Sequence, residues 1–138
     1  MKNILMVIPF VFLLGACTNV NSVPKSQHQM VQLADVTSND YVLTNMYQGQ
    51  GLTLGFDNAG RVFGYSGLNR FFGKADVRNG HLKIEQLAST KMGGPHEAMI
   101  REAQYMSMLG NMTNIEVKNE KLILSNDAGE ILIFEPKK

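Results

Sequence analysis

From Tyr41 onward the chain is cut into short apolar stretches by turn-forming clusters. The clusters are Asp57-Asn58-Ala59-Gly60, Arg78-Asn79-Gly80, Lys118-Asn119-Glu120 and Asn126-Asp127-Ala128-Gly129. This punctuation limits the fold more than any other feature. Asn-Gly tolerates positive φ at both positions and favours a tight hairpin, and Asx-x-Gly clusters close longer ones. The intervening stretches are rich in Val, Ile, Leu, Phe and Tyr, and several alternate in period two, as half-buried strands do. Strands are expected over Tyr41–Tyr47, Leu52–Phe56, Arg61–Tyr65, Lys74–Val77, His81–Leu87, Ile115–Lys118, Lys121–Ser125 and Glu130–Phe134.

One segment departs from this pattern. Residues 95–109, PHEAMIREAQYMSML, read as a helix. Pro95 suits the first helical position, Glu97 and Arg101 are spaced i, i+4, and Gly110 suits a left-handed C-terminal cap. Ala98, Glu102, Tyr105 and Leu109 share one side, with Met99, Ala103 and Met106 beside them. The expected fold class is α+β: a curved, mainly antiparallel sheet of hairpin-linked strands with one principal helix, about 95–109.

The N-terminal segment has a different character. Lys2 precedes an apolar run, Ile4 to Leu14, followed by Gly15, Ala16 and Cys17. This is the layout of a secretory signal, and the run is shorter than the roughly 20 residues a membrane-spanning helix needs. Leu14-Gly15-Ala16-Cys17 resembles a bacterial lipobox. Residues 1–16 are therefore expected to form a lipoprotein signal peptide and Cys17 to carry the lipid. Residues 17–38 are a polar tether, with a short ordered piece over Met30 to Val36, and 39–138 form the domain. Cys17 is the only cysteine in 138 residues, so no disulfide within the chain is available to an exported protein. The expected location is the cell envelope. Thr18 after the cysteine resembles the pattern sorted to the outer membrane in a Gram-negative host.

Charge excludes one class of partner. Removing Lys2 from the 13 basic side chains leaves 12 against 12 acidic ones. No Lys/Arg run is present, so nucleic-acid binding is not expected. The expected partners are the membrane, through the N-terminal lipid, and an envelope protein or a small apolar ligand.

The stretch Gly64-Tyr65-Ser66-Gly67-Leu68-Asn69-Arg70-Phe71-Phe72-Gly73 holds the densest mix of glycine, polar and aromatic residues. It is not a nucleophile elbow: Leu68 stands where that pattern needs glycine, and a strand rather than a helix follows. His28, His81 and His96 lack metal-ligand spacing. Met92, Met99, Met106, Met108 and Met112 crowd one region. Thioethers can hold Cu(I), but methionine is also a flexible core filler, and Met99, Met106 and Met112 suit the helix's buried side or end. No paired carboxylates or phosphate loop appear. No cofactor and no catalytic residue are expected.

Two motifs, read together, resemble a known family. The first is Gly64, Gly67, Leu68, Asn69, Phe71 and Gly73; the second is Leu82, Ile84, Leu87, Ala88, Thr90, Lys91 and Met92. The helix with Met99, Glu102, Tyr105 and Leu109 follows, then Leu122-Ile123-Leu124 and Ile131 to Phe134. In order and spacing they resemble the META domain family, which includes HslJ-like bacterial heat-shock lipoproteins. Many members carry a cysteine before the asparagine and another after the Thr-Lys/Arg-Met element. This chain has Leu68 and Gly94 there, and Tyr41 where a tryptophan is common. The resemblance implies that those two cysteines pair in members that have them. A disulfide contributes roughly 2–4 kcal/mol, and a buried leucine about 1.5–3 kcal/mol.

Gly67, Asn69, Arg70, Gly73, Thr90 and Lys91 therefore form the candidate region, either as a sharp structural corner or as a recognition site. The leading expectation is a non-catalytic, lipid-anchored envelope protein that interacts with other envelope components. The stress role is implied only by the resemblance. The alternative is a carrier with an apolar pocket between sheet and helix, and a third reading is a binder or inhibitor of a foreign protein.

Overall fold

The computed structural model describes residues 30–138. The segments expected to be the signal peptide and the tether up to residue 29, with Cys17, lie outside the described residues. The element order is α1 (Leu33–Val36), β1 (Tyr41–Leu43), β2 (Thr53–Phe56), β3 (Arg61–Tyr65), β4 (Arg70–Arg78), β5 (His81–Ser89), α2 (His96–Gly110), β6 (Asn114–Lys118), β7 (Lys121–Ser125) and β8 (Ile131–Pro136).

Each strand pairs antiparallel with its sequence neighbours, and β8 returns to β1, so the sheet is a closed barrel. The expected α+β class, a curved and mainly antiparallel sheet with one principal helix, is therefore corrected to an eight-stranded closed β-barrel with a helix attached. Closure rests on Tyr41 opposite Pro136, Val42 opposite Glu135 and Leu43 opposite Phe134. Local hairpin chemistry contains no signal for a pairing between the first and last strands. Closure also removes the sheet edges that an open arrangement would expose.

Inward-facing residues fill the barrel. Val62, Ile115, Leu122, Leu124, Leu132 and Phe134 are all 0% exposed. An eight-stranded barrel is wide enough either to be filled by its own side chains or to hold one small ligand, and here the large inward side chains occupy the interior. The weakest seam lies between β5 and β6, which share the register pair His81 and Asn114. The connection across that seam carries α2. The loops β1–β2, β3–β4 and β7–β8 lie at the same end of the barrel as this helix, because strands alternate in direction. At the other end Val31 and Val36 enter the core, and Gly80 N donates to Val31 O at 2.9 Å. The packed domain thus reaches into the segment read as tether.

Several local expectations shift. Residues 79 and 80 adopt φ of 52° and 77°, and Asn119 and Glu120 adopt 51° and 64°, so both turns have the left-handed pair a two-residue hairpin requires. Strand β1 is shorter than expected; Tyr47, at φ 50°, already lies in the following loop. Strand β4 starts at Arg70, so the corner shrinks to residues 66–69. A bulge sets Gln86 and Leu87 opposite Gly73, since Phe72 pairs with Ala88 but Lys74 with Glu85. A Cβ on Gly73 would sit 3.0 Å from Glu85 O, which explains glycine at that point.

The helix matches the expected span within one residue. Ala98, Tyr105 and Leu109 form its buried side. Met112 is 2% exposed, but Met99 is 47% exposed and does not pack inward as expected. Gly110 is the last helical residue, and Asn111, at φ −98°, caps the end without a left-handed turn.

Candidate functional site, a polar corner beneath the helix

The β3–β4 corner folds back tightly: Ser66 N donates to Asn69 O at 2.9 Å. Gly67 takes φ +89°, and a Cβ there would lie 3.1 Å from Leu52 Cδ1 and 3.2 Å from Arg101 Nε. Glycine is thus required both by backbone conformation and by the approach of α2.

Asn69 is 3% exposed, and its amide uses its full hydrogen-bonding capacity. Nδ2 donates to Met92 O at 3.1 Å and to Glu102 Oε2 at 2.9 Å. Oδ1 accepts from Met92 N at 2.8 Å and from Thr90 Oγ1 at 3.1 Å. One side chain therefore ties together the corner, the segment after β5 and the helix. Ser66, 0% exposed, lies with Oγ 2.7 Å from Glu102 Oε1 and accepts from Asn69 N at 3.1 Å. Its single proton suits the charged acceptor, whose hydrogen bonds are the stronger kind. Thr90 N donates to Arg70 O at 2.9 Å, which extends the β4–β5 ladder past Ser89.

The helix adds an aromatic seal. Tyr105 and Phe71 meet edge to face with ring centroids 5.9 Å apart, and Tyr105 Oη donates to Thr53 O at 3.3 Å. Burial pushes the Tyr105 phenol well above its ordinary pKa. Tyr47 Oη donates to Gln104 Oε1 at 2.8 Å, pinning the β1–β2 loop to the same helix. The apolar pocket expected between sheet and helix is corrected by this packing: Phe71, Tyr105, Leu109 and Met112 fill that space, each no more than 2% exposed. A cleft of about 560 Å³ lies along the β5–β6 seam, lined by Met30, Val31, His81, Asn114 and Ile115 among others.

The sequence-derived candidates divide into two groups. Gly67, Asn69 and Thr90 meet in the corner. Arg70 and Lys91 are exposed, and Gly73 belongs to the bulge in the wall. The corner's remaining members, Ser66 and Glu102, were not among the candidates. A signal for Glu102 existed, since it was the only carboxylate on the inward side with Ala98, Tyr105 and Leu109. Nothing in the local pattern marked Ser66. Among the described residues, no three His, Cys, Asp or Glu side chains converge as a metal site. The Ser66 hydroxyl is sealed from solvent and held by a carboxylate, so a substrate has no approach to it.

Leu68 is half-buried, and its Cδ1 lies 2.6 Å from the Cβ position of Gly94, with Cγ at 3.7 Å. The two positions where the resemblance places cysteines are thus neighbours across the corner, and the leucine side chain occupies the space between them.

Together these features define a small closed β-barrel, filled by its own side chains, with a helix latched over one end through a buried asparagine. Residues 29–138 match the META domain family, and the chain belongs to that family. A protein from Burkholderia xenovorans solved by NMR is similar, with 22% identity, a TM-score of 0.64, and coverage of 77% of this chain and 86% of that one. A second NMR structure is 21% identical with a TM-score of 0.62, covering 78% of this chain and 96% of the other. A DUF4847 family protein from Bacteroides vulgatus shares 13% identity at a TM-score of 0.50, covering 75% and 91%. At these identities the likenesses show the fold alone. No curated protein matches the chain.

Proposed function

We propose that this META domain protein is a non-catalytic, lipid-anchored module of the cell envelope, held through Cys17 and acting by contact with other envelope components. The observation that carries the anchor is the sequence Leu14-Gly15-Ala16-Cys17 directly after an apolar run, with no second cysteine for that thiol to pair with. The consumed corner supports the non-catalytic reading. Its asparagine, serine and glutamate hold one another, and their polar atoms serve packing rather than a substrate. A role under heat or envelope stress is the family-level expectation attached to this reading.

The test is metabolic labelling of the full chain with an alkyne fatty acid, followed by envelope fractionation beside Cys17→Ala. The reading expects label in the membrane fraction for the parent chain, and loss of both label and membrane retention in the variant. Equal labelling or equal membrane retention of the two forms refutes the anchor.

A further inference from the structure

The outer wall of the barrel carries an aromatic surface that the corner does not use. On β4 the outward residues alternate Arg70, Phe72 and Lys74, while Phe71 points inward. Phe72 is 56% exposed, the largest exposure of any aromatic side chain among the described residues. It stands opposite Phe63 on β3, and Tyr65 stands opposite Arg70. Phe63 and Tyr65 are each 38% exposed. The Phe63 ring lies over Gly55 of β2, where a Cβ would come within 2.6 Å of it. On the other flank Phe72 faces Ala88 of β5. Small residues at both margins leave the aromatic rings standing out from the barrel wall.

Two cations on this face are free of ion pairs. Among the described residues, neither Arg70 nor Lys74 forms an ion pair, whereas Asp57 is held by Arg61 and Glu85 by Lys83. Asp40, whose Oδ1 lies 2.9 Å from the Gly55 Cβ position, marks the far margin. Aromatic side chains flanked by unpaired cations are the composition of surfaces that settle at a lipid headgroup boundary.

We propose that the Arg70–Phe72–Lys74 face of the barrel lies against an anionic lipid surface. The proposal rests on the lipid-anchored reading only for bringing the barrel to the bilayer. The geometry of approach is compatible. Twelve residues separate Cys17 from Met30, a reach of about 40 Å at most. The chain enters the domain beside the β4–β5 turn, where Val31 O accepts from Gly80 N. Phe72 lies up β4 from that turn by about 20 Å at strand rise.

The absence of tryptophan from the chain makes a sole fluorescent probe available. Full-length Phe72→Trp is reconstituted with vesicles of phosphatidylcholine alone or with phosphatidylglycerol, each with brominated acyl chains. Ile131→Trp, 46% exposed on β8, is the control, since β8 lies across the barrel from β4. Docking predicts that bromolipid lowers Phe72→Trp emission about twofold on anionic vesicles and leaves the Ile131→Trp emission unchanged. Adding Arg70→Gln or Lys74→Gln lowers the apparent affinity of the face for the anionic vesicles, read from the phosphatidylglycerol dependence of the quenching, about fivefold per removed cation. Flotation with vesicles without quenching refutes the docking and leaves the anchor intact. A blue-shifted but unquenched probe assigns the face to a protein contact and refutes the lipid. Failure of the chain to float with either vesicle refutes both.

Discussion

Asn69 Nδ2 donates to Glu102 Oε2 at 2.9 Å, joining a corner between two strands to a helix 33 residues further along the chain. Glu102 also accepts from the buried Ser66, so its carboxylate has a donor for each oxygen. The direction of these bonds can be tested by reversing them. Asn69→Asp sets two carboxylates together and is expected to destabilise the domain by about 2–4 kcal/mol at neutral pH. Glu102→Gln in the same chain restores one donor–acceptor pair and recovers about 1 kcal/mol or more. Urea denaturation of the two single variants and the double variant gives the coupling directly; strict additivity contradicts the latch.

Leu68 and Gly94 yield a second prediction. With the Gly94 Cβ position 3.7 Å from Leu68 Cγ, cysteines at both places lie within reach of a disulfide. Leu68→Cys with Gly94→Cys, oxidised, is expected to be more stable than its reduced form by about 3 kcal/mol. Thermal melts with and without reductant check this. A pair that stays reduced under oxidising conditions contradicts the placement of the two segments.

Tyr105 gives the alkaline behaviour a named source. Burial raises its pKa above the ordinary 10.0, so the neutral phenol is the form the fold favours. Its stabilising contribution is fully present below pH 10 and is lost as pH rises further, toward the folded-state value. Tyr105→Phe loses the bond to Thr53 O and costs about 1 kcal/mol at pH 7. Above pH 10 the variant is expected to lose stability more slowly than the parent. Urea midpoints at pH 7, 10 and 11 check the convergence, and parallel curves contradict it.

Glu120 sits at φ 64° in the β6–β7 turn, where Gly80 occupies the equivalent place in the β4–β5 turn. A left-handed residue with a Cβ costs about 1–2 kcal/mol, partly offset by the unfolded-state entropy that glycine adds. Glu120→Gly is expected to stabilise the domain by about 0.5 kcal/mol, seen as a rise in Tm of about 2–4 °C. A fall in Tm means that the turn depends on the Glu120 side chain.

Hairpins and the helix were legible in the sequence because their determinants are local. Asn79-Gly80 predicts its own turn, and the repeat of Ala98, Tyr105 and Leu109 predicts the face that α2 buries. Closure was not legible, because Val42 and Glu135 carry no mark of their pairing. The bulge opposite Gly73 was hidden for the same reason: glycine announces close approach but not the approaching atom, here Glu85 O. Met99 misled because an apolar residue beside the buried stripe looks the same whether a strand or solvent faces it. The resemblance brought Asn69 to notice, but its function as a latch appears only once Met92, Thr90 and Glu102 converge on it.

The most direct test of the corner as a structural latch is thermal unfolding of Asn69→Ala in the full chain. The substitution removes one of the two donors to the half-buried Glu102 carboxylate and frees the Thr90–Met92 segment, a loss of about 2–3 kcal/mol, and Tm is expected to fall by about 8–12 °C. An unchanged Tm contradicts the latch. It would return Asn69 to the role of a recognition residue.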